Sequence, residues 1–232
     1  MWTRADLKRN AKSVLKENYW KSVIVSLIFL FITGSGAAST GREASDELSN
    51  AKDAFAGMDG FTFLLIIGVV AGAILISMLI GLLLTIFLWN PLRVGCQKFF
   101  VNAVEDQEAG LGDVLYSFKN GYGHIGGIMF VRTVFICLWS VLLIIPGIVK
   151  MYEYMMVPFI LAENPDMSRK EVFALSKKMM TGNKWKAFVL DLSFLGWNIL
   201  GCITLGILNI LFVVPYQNLT KAELYQTLKD AQ

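Results

Sequence analysis

Apolar residues are concentrated in five stretches of the chain, and most charged residues lie between them. The stretches are residues 20–36, 61–89, 125–145, 148–161 and 187–214. No charged side chain occurs in the 32 residues from 61 to 92, and a helix of that length measures about 48 Å, against ~30 Å for a bilayer's hydrocarbon core. Because lipid offers the backbone no hydrogen-bond partner, such a stretch must be helical. The pattern predicts an all-α, polytopic integral membrane bundle, organised as a single domain over residues 1–232.

The number of membrane crossings depends on the last two stretches. Residues 148–161 give only about 21 Å of helix, so this span requires local thinning of the bilayer. Residues 187–214 form either one long tilted span or a re-entrant pair of short helices broken near Gly201. We predict one span, which makes five transmembrane helices with the C-terminus outside; the broken alternative gives six segments and returns the C-terminus inside. Pro146 and Gly147 are expected to form the outer hairpin between the third and fourth spans.

The basic residues indicate the orientation of the spans. Lysine and arginine number six in residues 1–21, three in 90–124 and six in 162–186, against two in 39–60. Positive residues accumulate on the cytoplasmic side of a membrane. The N-terminus is therefore predicted to be cytoplasmic, provided that the fourth stretch crosses. The small residues after Gly36 resemble a signal-peptide cleavage site, but the capped segment before the first stretch favours an uncleaved span.

An amphipathic helix is predicted before the first span. Within residues 1–19, Thr3 is suited to cap a helix, and four apolar residues lie on one face at helical spacing. These four are Leu7, Ala11, Val14 and Leu15. We expect this face to lie at the membrane interface.

Two later segments share one capping pattern. Ser168 begins a capping box for an amphipathic helix over 168–181, and Thr220 begins the same pattern for 220–230. The first of these helices carries Arg169, Lys170, Lys177 and Lys178. In the simpler interpretation these charges are only solvated. In the alternative, they contact anionic lipid headgroups or a cytoplasmic protein partner.

Ionisable residues inside the apolar stretches form the candidate site, because each is costly in lipid unless it is paired or hydrated. Lys150 and Glu153 are three residues apart and are expected to pair near the outer end of the fourth span. Arg132 and Asp191 start from the cytoplasmic side at similar depth, which makes an interhelical ion pair between them plausible. The four residues are either structural pairs or the lining of a polar groove for a charged headgroup, peptide or ion.

Composition excludes several classes of function. A net charge of +3 with 55 % hydrophobic residues and no free basic face predicts no nucleic-acid partner. Cys96, Cys137 and Cys202 are too few and too dispersed for a disulfide framework, and His124 is the single histidine. The G-x-G-x-x-G letters at 121–126 lack the strand and the acidic residue of a dinucleotide site. We expect no metal, no cofactor and no enzymatic activity.

Several short motifs stand out along the chain. They are Trp2-Thr3-Arg4, Asn18-Tyr19-Trp20, Ile145-Pro146-Gly147-Ile148, Leu161-Ala162-Glu163-Asn164-Pro165, Ser176-Lys177, Leu192-Ser193-Phe194-Leu195-Gly196-Trp197 and Pro215-Tyr216. In these motifs the chain resembles an uncharacterised family of bacterial polytopic membrane proteins, a domain of unknown function. The Pro-Gly turn, short span and basic helix are more distantly similar to the membrane domain of some glycerophosphodiester phosphodiesterases. That likeness implies a fold without the catalytic barrel, and the family brings no activity.

The function expected from these residues is non-enzymatic. A polar groove that handles an amphipathic lipid or peptide fits an accessory component in transport, self-protection or envelope upkeep, located in the bacterial cytoplasmic membrane. The alternative is a structural or interaction protein whose basic interfacial helices recruit a partner. Expected partners are membrane lipids, together with a protein partner or a second copy of the chain.

Overall fold

A computed structural model of the protein shows an all-α architecture. The described residues are 2–34, 59–105, 108–204 and 206–231. Their structure is 86 % helical and contains no strand within these ranges. Four helical stretches are long and apolar enough to cross a membrane: Gly60–Val104, Tyr122–Leu142, Ile144–Glu163 and Lys184–Ile203. The predicted all-α membrane bundle is therefore confirmed. The predicted outer loop over 39–58 and the end of the first span at 35–36 lie outside the described residues.

Helix α1 (Arg4–Glu17) begins where the sequence predicts. Thr3 caps it by accepting a hydrogen bond from the Asp6 backbone N–H, and the four residues of the predicted apolar face are its buried residues. This face does not lie free at a membrane interface, because it packs against the C-terminal helix of the chain. Helix α2 (Tyr19–Gly34) follows after a turn at Asn18.

The long uncharged stretch is part of one continuous helix with two different halves. Helix α3 (Gly60–Leu84) has no buried residue, whereas α4 (Asn90–Val104) is buried along most of its length. A π-helical turn, Thr85–Trp89, joins them. Because Pro91 has no N–H to donate, a wider turn just before it accommodates the missing hydrogen bond. The first half, α3, has the exposed apolar surface of a lipid-facing span, and the second half, α4, forms the centre of the core.

A short turn packs closely on α4. The 3₁₀ turn Leu111–Leu115 leads into α5 (Tyr116–Lys119), and Asp113 in the turn accepts hydrogen bonds from the Gly110 N–H at 3.1 Å and the Asn102 side chain at 3.0 Å. At the closest approach stands Gly95, where an added Cβ would overlap the Val114 carbonyl group. The glycine is therefore required for this contact.

Two antiparallel helices, α6 (Tyr122–Leu142) and α7 (Ile144–Glu153), form a hairpin at Leu143, which is extended. The reversal was predicted at Pro146 and Gly147, but both residues lie in the first turns of α7. The predicted fourth span is also interrupted, because residues 154–156 separate α7 from α8 (Val157–Glu163). Pro158 in the first turn of α8 cannot donate a backbone hydrogen bond, which favours a break at this position.

Helix α9 (Arg169–Met180) has the predicted capping box between Ser168 and Glu171. Helices α10 (Lys184–Leu192) and α11 (Leu195–Ile203) follow in nearly continuous succession.

The chain then reverses, and the π-helical turn Asn209–Val213 lies beside α11. Gly206 permits the reversal, since its φ of 84° lies in the left-handed region and its N–H donates to the Gly201 carbonyl at 2.8 Å. The prediction of one long span over 187–214 is wrong, and the structure has the broken alternative.

Helix α12 (Val214–Asp230) is the C-terminal helix, and it packs against α1, α2 and α4. The prediction of a separate helix over 220–230 is wrong. Thr220 is buried inside α12, and its hydroxyl donates to the Tyr216 carbonyl at 2.7 Å. Thr220 therefore caps nothing.

The last turn of α12 is tied to the ends of two other helices. Lys229 Nζ lies 2.7 Å from a Glu163 oxygen and 3.1 Å from a Glu105 oxygen. Burial alone would lower the pKa of Lys229, but its hydrogen bonds to these two carboxylates raise that pKa above its usual value. The predicted topology places both glutamates on the cytoplasmic side. In that predicted topology the C-terminus lies on the same side, as the broken alternative predicts.

The two ends of the chain are expected to label alike in a cysteine-accessibility experiment. Ala5 and Ala231 are both exposed, so Ala5→Cys and Ala231→Cys, each in a background with Cys137→Ala and Cys202→Ala, should react with a membrane-impermeant maleimide only after permeabilisation. Labelling of either position in intact cells, with the other protected, would show that the ends lie on opposite sides.

Candidate functional site

Lys150 and Glu153 form the predicted ion pair on α7. Lys150 Nζ lies 2.8 Å from one Glu153 oxygen, and Lys184 on α10 adds a second cation 2.6 Å from the other oxygen. Glu153 is only 4 % exposed. One buried carboxylate thus holds two lysines, and we call these three residues the charge triad.

Glu153 is the last residue of α7, at the end away from the hairpin at Leu143, whereas the sequence predicted the pair near the outer end of the span. The Ser176 hydroxyl on α9 donates to the Glu153 backbone carbonyl at 2.8 Å, and α9 belongs to the segment predicted to be cytoplasmic. The sequence predicted one straight fourth span with α9 beyond its cytoplasmic end. In the structure the span is interrupted after Glu153, and α9 packs against α7 and α8.

Arg132 and Asp191 do not form the predicted ion pair with each other. Arg132 Nε donates to the Tyr154 carbonyl at 2.7 Å, one of the groups left without a helical partner where α7 ends. Asp191 binds Lys221 at 3.2 Å and accepts a hydrogen bond from the Tyr152 hydroxyl at 3.1 Å. Arg132 has its partner in the break between α7 and α8, and Asp191 has one on α12, two features that the sequence did not predict.

Arg132 and Asp191 nevertheless line one space, which we call the polar cavity. It has a volume of about 190 Å³ and is lined by Phe29, Arg93, Gln97, Arg132, Met151, Tyr152, Met155, Pro158, Phe159, Asp191, Asn218 and Lys221. Its charged lining consists of Arg93, Arg132 and Lys221 against Asp191 alone. With three cations and one carboxylate, the lining carries an excess of positive charge. Lys150 and Glu153 do not line it.

Three polar atoms of the cavity lining lack a hydrogen-bond partner among the described residues. They are Arg93 Nε, Gln97 Oε1 and Asn218 Nδ2. Gln97 and Asn218 are 4 % and 5 % exposed, and buried polar groups are normally satisfied. Water or a ligand must therefore complete the lining. Within the described ranges no three acidic, histidine or cysteine side chains converge to hold a metal ion, whereas this donor set suits an oxyanion.

Four polar residues of the cavity were not identified as site residues from the sequence. Arg93 and Gln97 are one helical turn apart on α4, but Arg93 ends the uncharged stretch and was counted only as a membrane-flanking charge. Asn218 and Lys221 are likewise one turn apart on α12, and Lys221 was assigned to the false cap at Thr220. Spacing of three or four residues was the available signal in both cases.

A second space, the apolar groove, lies next to the polar cavity. It has a volume of about 360 Å³ and is lined by Ile145, Ile148, Val149, Tyr152, Lys184, Trp185 and Phe188. Tyr152 lines both spaces. Apart from Lys184, which the charge triad holds, the groove presents hydrocarbon and aromatic surface.

The four basic residues predicted to meet headgroups or a partner are all exposed on α9. Arg169, Lys170, Lys177 and Lys178 form no ion pair with another described residue. The opposite face of α9, with Val172, Ser176, Met179 and Met180, is buried against the protein.

Residues 125–232 match the model of a family described as a protein of unknown function (DUF975). The resemblance to an uncharacterised family is thus confirmed for this part of the chain. The match runs from α6 to α12, so it includes Arg132, Asp191 and Lys221 but not Arg93 or Gln97. Neither the curated proteins nor the solved structures gave a match. The likeness to the phosphodiesterase membrane domain stays a prediction.

Proposed function

We propose that this integral membrane protein binds an amphipathic molecule, a lipid or a peptide, through an anionic group held in the polar cavity. The observation that carries the proposal is the lining itself, in which three cations oppose one carboxylate and three buried polar atoms lack partners. Ionisable residues inside a membrane domain generally mark the path or the site of a ligand. Positive excess favours an anion, since only an anion offsets the cost of burying these charges.

The surroundings of the charges favour a ligand that also has an apolar part. Phe29, Met151, Met155, Pro158 and Phe159 contribute apolar surface to the same cavity. Met151, Met155, Pro158 and Phe159 belong to Ile144–Glu163, one of the helical stretches that are long and apolar enough to cross the membrane. A wholly polar solute would gain nothing from the apolar part of the lining, whereas an amphipathic molecule would be stabilised by both kinds of surface.

Binding explains the cavity better than catalysis does. Asp191 is the single acid in the lining, and its two oxygens are occupied by Lys221 and by the Tyr152 hydroxyl. A general base must reach the proton that it removes, and both Asp191 oxygens already bind neighbouring side chains. We therefore place the protein among non-enzymatic accessories of transport, self-protection or envelope upkeep in the bacterial cytoplasmic membrane.

A cytoplasmic N-terminus remains part of the proposal. With α12 returning to the side of α1, both lysines of residues 215–232 join the basic residues already assigned to the inner side. The positive-inside rule is then satisfied more fully than in the five-span topology.

Removing cavity charges should weaken binding of an anionic amphiphile. The protein in non-ionic detergent is titrated with dodecyl phosphate below its micelle concentration, and the rise in Tm is followed, with dodecyltrimethylammonium as the cationic comparison. We expect the anionic probe to stabilise the protein, and the pair Arg93→Gln with Lys221→Gln to lower its affinity at least about tenfold, because each charge-assisted hydrogen bond is worth roughly 1.5–3 kcal/mol.

The matched control removes the same two charges from α9, in the pair Arg169→Gln with Lys178→Gln. Equal stabilisation by both probes, or equal weakening in both variant pairs, would contradict binding in the cavity. Weakening confined to the α9 pair would favour a second candidate function, in which the exposed basic face of α9 contacts headgroups or a protein partner. The exposure of all four α9 cations is the observation that supports this second function.

A further inference from the structure

We infer that the amphipathic molecule is a phospholipid whose phosphate and a hydroxyl of its headgroup occupy the polar cavity, while one acyl chain occupies the apolar groove on the other side of Tyr152. The inference rests on the proposed function and adds the class of ligand and the position of its hydrocarbon part.

Tyr152 forms the boundary between the two spaces. Its side chain contributes to the lining of both. On the polar side, its hydroxyl donates to Asp191 at 3.1 Å; on the apolar side, its ring meets Phe188 edge to face with the centroids 6.0 Å apart. Charged and hydrocarbon surfaces are thus separated by the width of one side chain, which matches the division of a lipid into head and chain.

The unsatisfied atoms of the polar cavity describe the headgroup. Arg93 Nε and Asn218 Nδ2 are donors and require acceptor oxygens, which a phosphate provides. Gln97 Oε1 is an acceptor and requires a donor. A fatty-acid carboxylate has no donor, and a choline headgroup has none either. A phosphate ester with a free hydroxyl, such as a glycerol headgroup, satisfies both kinds of atom.

The sizes of the two spaces require that the chain lie outside the polar cavity. A volume of about 190 Å³ accommodates a headgroup or several water molecules, but not a lipid with its chains. The neighbouring groove, at about 360 Å³, is lined by three aliphatic side chains, three aromatic rings and Lys184. Hydrocarbon is the occupant that this surface favours, and the lipid's charged end explains why the chain is held at this groove.

Native mass spectrometry of the full chain in detergent tests the inference by titration with phosphatidylglycerol, phosphatidylcholine and free glycerol 3-phosphate. We expect phosphatidylglycerol to bind at least about tenfold more tightly than either other probe. Val149→Trp fills the groove without touching the polar cavity and should weaken phosphatidylglycerol about tenfold. Val141→Trp is the matched control, because Val141 is 80 % exposed and lines neither space. Ile145→Trp provides a second groove variant if the first fails to fold.

The outcomes separate this inference from the function on which it rests. The acyl chain would not occupy the apolar groove if both groove variants bound phosphatidylglycerol as the wild type does. The same would follow if glycerol 3-phosphate bound as tightly as the lipid. If Arg93→Gln still weakened binding, the proposed function would stand. Equal affinity for the two phospholipids would overturn the role of the headgroup hydroxyl. Binding of neither phospholipid, together with continued stabilisation by dodecyl phosphate, would overturn the lipid and favour an anionic peptide. If no anionic probe bound, both the lipid inference and the proposed function would be wrong.

Discussion

Replacing Gly95 with alanine is expected to destabilise the protein by about 3 kcal/mol, the upper end of the usual cost of overpacking a core. An added Cβ would overlap the Val114 carbonyl oxygen and would lie 2.6 Å from the Val114 carbonyl carbon. These are backbone atoms, so no rotation of a side chain relieves the overlap, and the 3₁₀ turn would have to move away from α4. Loss of Tm and of a monodisperse peak in size-exclusion chromatography measures the effect.

Gly68→Ala is the matched control, because Gly68 lies on the same continuous helix but has nothing within 4 Å of an added Cβ. Alanine there should leave the Tm unchanged or raise it, since alanine favours the helix by up to ~1 kcal/mol. Similar Tm values for the two variants would show that the turn does not constrain α4.

Removing the negative charge of Glu153 should be the next most damaging change. In Glu153→Gln, Lys150 and Lys184 keep their positions 2.8 Å and 2.6 Å from the former carboxylate but lose the anion that they share. Breaking a buried ion pair costs roughly 3–5 kcal/mol. Because the two lysines are 24 % and 31 % exposed, partial screening by solvent reduces the expected loss to about 2–3 kcal/mol.

The measurement is the unfolding of the purified protein by heat, compared with that of Glu108→Gln. Glu108 is exposed and forms no ion pair with another described residue, so its substitution should leave the Tm within about 1 °C of the wild type. Adding Lys184→Gln to Glu153→Gln should recover part of the loss by removing one of the repelling charges. Equal Tm values for the two single variants would mean that the charge triad contributes nothing to stability.

Features determined within one or two helical turns were predictable from the sequence. The buried face of α1 and its cap at Thr3 follow from spacing alone, and so does the Ser168 capping box of α9. In each case the residues that interact are at most four positions apart in the sequence, and the cap stands at the first turn of its helix. The pair of Lys150 and Glu153 was predictable for the same reason.

Features that depend on distant segments were not predictable. Thr220 has the letters of a cap, but the helix already begins before it and surrounds it with core, so the hydroxyl serves the Tyr216 carbonyl. Asp191 was assigned to Arg132 by depth, yet the return of α12 brings Lys221 to it first. Because the reversal at Gly206 is not predicted from the sequence, the positions of the α12 residues are not either, and Asn218 and Lys221 are missing from the predicted site.

The exposed half of the long helix also bears on how relatives of this protein diverge. Since α3 has no buried residue, exchanges among leucine, isoleucine, valine and phenylalanine there preserve hydropathy and disturb no packed neighbour in the described chain. Such substitutions should accumulate with little selection against them. The buried residues of α4 have no such freedom. Relatives should therefore be aligned on Asn90–Val104, and not on the more hydrophobic stretch that precedes it.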